Sequence, residues 1–175
     1  MRLLMAALVL LLTSCHEPPA VEILGNQAPD FDLIAQFTGH VRSWGVVENR
    51  SGEPSGWVET DCTGTVDGAG ALHMSQHLLQ EDGTAQDRAW IVRRTGPHSW
   101  DATANDMAGT AHGTAAGRTF HWHWTLAHGP GKPPVDVEMD QWMYLLDDGS
   151  MLNRTTVRKY GIILAEVTER FARAP

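Results

Sequence analysis

The sequence predicts an all-β fold, an antiparallel up-and-down β-barrel of about 8–10 strands behind a signal peptide and a short tether. Three observations predict it. Turn signals recur at short intervals, among them Asp67-Gly68, Asp82-Gly83, Gly96-Pro97, Asn105-Asp106 and Asp147-Asp148-Gly149. Asp-Gly pairs suit tight hairpins because both central residues take positive φ. The segments between them alternate in polarity with period 2, and no long helical pattern interrupts them.

The elements follow in order. Strands are expected at 40–48, 56–66, 71–81, 86–94 and 98–104, then at 109–115, 118–128, 135–146, 150–160 and 162–172. In the seventh, Phe120, Trp122, Trp124 and Leu126 take one parity and His121, His123 and Thr125 the other. In the last, Ile163, Ala165, Val167 and Phe171 share a parity, opposite Glu166, Thr168 and Arg170. Ile162, Ala165, Glu166 and Glu169 also suit a short helix; the strand reading is preferred. Ten short strands are most stable when the sheet closes, because closure removes edges. The opening segment, Phe37 to Trp44-Gly45, is similar to the Gly-x-Trp segments that begin lipocalin-like barrels.

Before the barrel come two short pieces. Arg2 precedes ten uncharged residues, Leu3 to Leu12, far short of the roughly 20 needed to span a bilayer. That is a secretory signal. It ends in Leu12-Thr13-Ser14-Cys15, which resembles a bacterial lipobox. Residues 1–14 are then the signal peptide, and Cys15 the first mature residue, carrying the acyl chains. Two or three chains hold a protein on a membrane durably, at about 0.8 kcal/mol per buried CH₂. The second mature residue is His16, not the aspartate that favours inner-membrane retention. The expected location is therefore the periplasmic face of the outer membrane. Residues 15–30, with Pro18-Pro19 and Ala28-Pro29, read as a flexible tether. Residues 31–175 form the single barrel domain.

Composition narrows the function. Without Arg2 the mature chain has 12 basic against 21 acidic side chains. That excess argues against nucleic acid and against electrostatic adhesion to anionic lipid. With Cys15 acylated only Cys62 remains, so no internal disulfide forms. Cys62 reads as a small buried hydrophobe, because no neighbouring base or cation would activate it.

The second half of the chain carries a sharper pattern. Arg88-Ala-Trp90-Ile, Asn105-Asp106-Met-Ala-Gly109 and Asp140-Gln-Trp142-Met143-Tyr144-Leu145 follow in order, then Leu152-Asn153-Arg154-Thr155 and Lys159-Tyr160-Gly161. This series resembles the DUF3833 family of proteobacterial lipoproteins, over about residues 31 to 172. The resemblance implies a lipidated barrel and leans towards a lipid ligand. It carries no activity, cofactor or catalytic residue. Asn105-Asp106-Met107 departs from the acidic-acidic-aliphatic turn expected there, with little consequence expected for the fold.

Three groups could carry chemistry. His121 and His123 would lie about 7 Å apart on one strand face, but no Cys, Asp or Glu stands beside them at ligand spacing. They read as solvent-facing, and no metal or other cofactor is expected. Seven tryptophans are many for this length; they either line an aromatic cavity or fill a solid barrel. Trp122, Trp124, Trp142 and Tyr144 are the candidate ligand contacts, with Trp142 also expected in the core. Arg154 and Arg158 share a parity and could clamp a carboxylate head group from inside. The other reading is a structural ion pair with Asp140, Asp147 or Asp148. The sequence contains no Gly-x-Ser-x-Gly, P-loop, Gly-x-Gly-x-x-Gly or His-Glu-x-x-His motif, and no catalytic residue is assigned.

The leading expectation is a membrane-anchored, non-catalytic barrel that binds a small hydrophobic molecule, such as a fatty acyl species. The alternative is a solid barrel that meets an envelope protein. An enzyme acting on envelope lipid ranks third.

Overall fold

The computed structural model describes residues 20–25, 27–129 and 134–174. The proposed signal peptide and Cys15 lie outside them. Ten antiparallel strands follow one another around a closed barrel. They are β1 (Gly39–Asn49), β2 (Pro54–Val66), β3 (Leu72–Gln80), β4 (Ala85–Gly96) and β5 (Ser99–Ala104), then β6 (Met107–Ala116), β7 (Thr119–Gly129), β8 (Val135–Leu145), β9 (Met151–Lys159) and β10 (Ile162–Arg173). All ten expected strands are present, and the last segment is a strand. It pairs with β1 from Val41↔Arg173 to Asn49↔Ala165, which closes the sheet.

Side chains alternate between the two faces. The inward set includes Val41 and Ser43 on β1, Thr60 and Cys62 on β2, and Trp90 and Val92 on β4. On β7 it is Phe120, Trp122, Trp124 and Leu126. Burial pushes the Cys62 thiol up to about 12, which leaves it inert.

One end of the barrel is plugged. Helix α1 (Leu33–Phe37) caps it, started by Asp32, whose Oδ1 accepts from Ile34 N at 3.1 Å and Ala35 N at 3.3 Å. Phe31 stacks on Phe120 at 5.3 Å and Phe37 meets Phe171 edge-on at 5.6 Å. The reading of residues 15–30 as a tether needs correction where they are described. Val21–Leu24 form a 3-10 turn packed on β6 and β7. Burial of the Val21 side chain and the bond from Phe31 N to Gly117 O, 2.6 Å, hold the segment down.

The other end is open. The β1–β2, β3–β4, β5–β6 and β9–β10 turns stand there, and β1, β7 and β10 each carry a bulge towards it.

Candidate functional site: an apolar cavity with a polar belt

The barrel is hollow. A cavity of about 640 Å³ runs from the plug to the open end, within the roughly 300–1,000 Å³ of small-molecule sites. Its floor is Leu33, Phe37, Leu72 and Phe171, all buried. Its exposed lining residues, such as Gln80, Thr84, His128 and Leu164, all lie at the open end. Between them the wall is mostly aliphatic, methionine and tryptophan. Trp90 stacks on Trp122 and meets Trp124 edge-on, each at 5.2 Å.

Two charged residues face this apolar space. Arg88 on β4 has the inward parity of Trp90 and Val92. Its side chain is 6% exposed, and its Nε donates to both oxygens of Asp106 at 2.8 Å. Asp106 also accepts from Gln86 Nε2 at 2.6 Å. Arg88 Nη1 reaches Gln76 Oε1 at 3.4 Å, and that oxygen takes the Trp90 indole N–H at 2.9 Å. The guanidinium lies 4.7 Å over the Trp124 ring and 5.5 Å over Trp90. Among the described residues, none bonds its Nη2.

Glu169 on β10 is the second. Its Oε1 accepts from Ser43 Oγ at 2.7 Å and Thr60 Oγ1 at 3.2 Å, its Oε2 from Asn153 Nδ2 at 3.0 Å. Asn153 Oδ1 takes Gln141 Nε2 at 2.9 Å, and Gln141 Oε1 takes the Trp122 indole at 2.6 Å. A belt of hydrogen bonds thus crosses the wall from β7 to β2. Burial raises the Glu169 carboxyl above its ordinary range, against the pull of its three donors and Arg88. Gly45, opposite Glu169 in the ladder, leaves room for it. A Cβ there would come within 2.5 Å of Glu169 Cγ. Arg88 is matched by Asp106, and Glu169 is held by three hydrogen-bond donors. The cavity suits a long apolar molecule with one polar end.

The chain matches the family described as "Protein of unknown function (DUF3833)" over residues 9–173. It belongs to the DUF3833 family. No curated protein matches it. Among solved structures, the DUF3833 barrel is similar to an S-type phycobiliprotein lyase, CPES, from Guillardia theta. The TM-score is 0.63 at 11% identity, covering 90% of this chain and 99% of the lyase. It is also similar to a DUF3598 protein of unknown function from Nostoc punctiforme, with a TM-score of 0.60 at 11% identity. That likeness covers 85% of this chain and about half, 51%, of the other. At such identities the likeness establishes a shared lipocalin-like fold.

The DUF3833 barrel brings together only some of the residues singled out from sequence. Trp122 and Trp124 line the cavity. Arg154, Arg158, Trp142 and Tyr144 do not, because the inward residues of β8 and β9 are odd-numbered: Gln141 and Met143, Asn153 and Thr155. Arg154 instead pairs outside with Glu166 at 2.6 Å, while Asp147 and Asp148 are taken by Arg118 and Arg170. Trp142 is half-buried on the outer face, not in the core, stacked on His121 at 4.2 Å with Tyr144 at 6.5 Å. His121 bonds Asp140 at 2.6 Å; His123 is exposed. Asp106, in the turn expected to matter little, holds the buried arginine. Arg88 and Glu169 were missed, although each shares the parity of the apolar residues beside it.

Proposed function

We propose that this protein is a non-catalytic binder of a single-chain lipid, a fatty acyl species, held in the barrel. The cavity carries the reading: it is deep, mostly apolar and open at one end. The acyl chain lies against Met74, Val137, Met143 and the inner tryptophans. The polar end meets Arg88, whose Nη2 supplies donors to a carboxylate or ester oxygen. This is the role the sequence suggested for Arg154 and Arg158, moved to the cation on the inner face. Attachment of Cys15 to the outer membrane, facing the periplasm, completes the proposal and rests on the sequence before residue 20.

A hollow interior disfavours the solid-barrel alternative, although an envelope protein could still meet the outside. An enzyme of envelope lipid gains no support. Of the inner charged residues, Arg88 is bonded to Asp106 and Gln76, and Glu169 to Ser43, Thr60 and Asn153.

Extraction of the purified full chain, with mass spectrometry of what it retains, is the first test; a fatty acyl species is expected. Titration with a fluorescent fatty acid is the second. Arg88→Met should weaken binding about ten- to a hundredfold, the worth of one charge-assisted bond. No binding by the parent would overturn the proposal.

A further inference from the structure

The β9–β10 hairpin at the open end exposes large apolar side chains. β9 and β10 are joined by a two-residue turn, Tyr160-Gly161, between the paired Lys159 and Ile162. Tyr160 has φ 51° and Gly161 φ 75°. Positive φ at both positions is the geometry of a type I′ hairpin, for which Asn-Gly is the favoured sequence. A bulky aromatic in that region is strained. The strain has no return inside the barrel, since Tyr160 is 86% exposed. Ile162 is 53% exposed and Leu164, at the β10 bulge, 38%. Leu164 also lines the cavity. Large apolar side chains therefore run unbroken from the hairpin tip into the mouth.

The hairpin is locally basic: residues 149–165 hold Arg154, Arg158 and Lys159 and no acid, whereas the neighbouring β1–β2 and β3–β4 turns carry Glu53, Glu81 and Asp82. Arg154 is tied to Glu166, and Glu138 lies opposite Arg158 in the ladder. Lys159 donates to the Asp136 backbone oxygen and sits 4.8 Å from the Tyr160 ring. An exposed tyrosine and isoleucine beside a lysine match the bilayer interface: rings at head-group depth, aliphatic groups below, cations at phosphate.

We propose that the Tyr160–Ile162 hairpin docks the open end of the barrel on a lipid surface, from which an acyl ligand enters past Leu164. This rests on the cavity being a lipid site. It also gives the molecule a polarity. The chain joins the barrel at the opposite, plugged end, through Val21–Leu24 and the Phe31–Gly117 bond. Strands of this length, tilted, make a barrel about 25–30 Å tall. The six residues from Cys15 to Val21 reach at most about 20 Å. An upright barrel anchored at Cys15 therefore points its hairpin away from that membrane.

The test is flotation of the mature chain, residues 15–175, with vesicles of phosphatidylcholine containing a minority of phosphatidylglycerol. All proteins carry Cys15→Ser and lack residues 1–14, so neither an acyl anchor nor the apolar run Leu3 to Leu12 contributes. The parent should float. Tyr160→Asn and Ile162→Ser should each lower partitioning about tenfold, from lost apolar insertion. Tyr160→Asn should also raise the melting temperature, because Asn relieves the turn. A misfolded variant would show the reverse. Failure of the parent to float, as expected if the hairpin serves a protein, would overturn the proposal, as would equal flotation of both variants. Retained lipid reads the cavity and flotation reads the hairpin, so failure of either inference is distinguishable.

Discussion

Arg88 lies 4.7 Å over the Trp124 ring and gives its Nε–H to both carboxylate oxygens of Asp106 at 2.8 Å. That contact joins a cavity-lining strand to the β5–β6 turn. It lets a permanent cation sit inside an apolar barrel, where an unmatched charge would be expelled or neutralised.

Removing the carboxylate should therefore cost more than a surface ion pair does. Asp106→Ala leaves Arg88 buried without its counter-charge, and a loss of about 3–5 kcal/mol is expected. Urea denaturation measures it. A loss near the ~1 kcal/mol of an exposed pair would mean that solvent in the cavity already satisfies the guanidinium.

Glu169 gives a pH signature. Its folded-state carboxyl is raised above the ordinary 4.5 by burial. Between the unfolded and folded values the native state holds a proton that the unfolded chain has released. Stability contributed by this group is thus full below about 4.5 and falls as pH rises through the folded value. Glu169→Gln, neutral throughout, should abolish that part of the profile. The stability of the parent minus that of the variant should decline with rising pH. A flat difference would show that Glu169 ionises normally.

Ten strands were legible because Gly, Asp and Asn mark nearly every reversal, and because period 2 survives even in segments with few apolar residues. Which face points inward was less legible. On β9 the inner residues Asn153 and Thr155 are no more apolar than their outer neighbours, so only Met151 and Val157 at either side marked the inner face. On β8 the aromatic weight of Trp142 and Tyr144 outbid the true inner residues, Gln141 and Met143. On β10 the pattern Ala165, Val167, Phe171 did mark the inner face, and Glu169 falls on it. A carboxylate among apolar residues of one parity was the available signal for the polar belt. Helix α1, five residues long, is too short for periodicity to reveal.

The outer position of Trp142 predicts a modest effect. Trp142→Ala loses ring contacts with His121 and Tyr144 but opens no cavity, so about 1 kcal/mol is expected. Trp100, 1% exposed and packed on Phe120, should cost about 3–5 kcal/mol on truncation to Ala. Paired urea titrations decide it. Equal losses would place Trp142 in the core after all.

Anchoring is tested by Cys15→Ser and cell fractionation. The other cysteine, Cys62, is buried with its thiol pushed up to about 12, and cannot substitute for it. The variant should lose the acyl-dependent membrane fraction, and adding Tyr160→Asn should release what the hairpin alone retains. Membrane binding that survives both changes would reveal another anchor.

The sharpest separation between a lipid binder and a protein-binding barrel is to fill the mouth. Ala165 lines the cavity on β10 at the end where the acyl chain would enter, opposite Asn49 in the ladder. Ala165→Trp adds a large ring there, into open space instead of packed core, so the usual 1–3 kcal/mol cost of overpacking should be small. Fluorescent fatty-acid affinity should fall about tenfold or more, which is about 1.4 kcal/mol or more of lost binding free energy. Lipid retained on extraction should fall with it, while the melting temperature holds. A protein partner on the outer wall would not sense this change, since the side chain points inward. Retention of full lipid binding in Ala165→Trp would place the ligand elsewhere. Loss of binding together with a large drop in melting temperature would show that the mouth is packed rather than open.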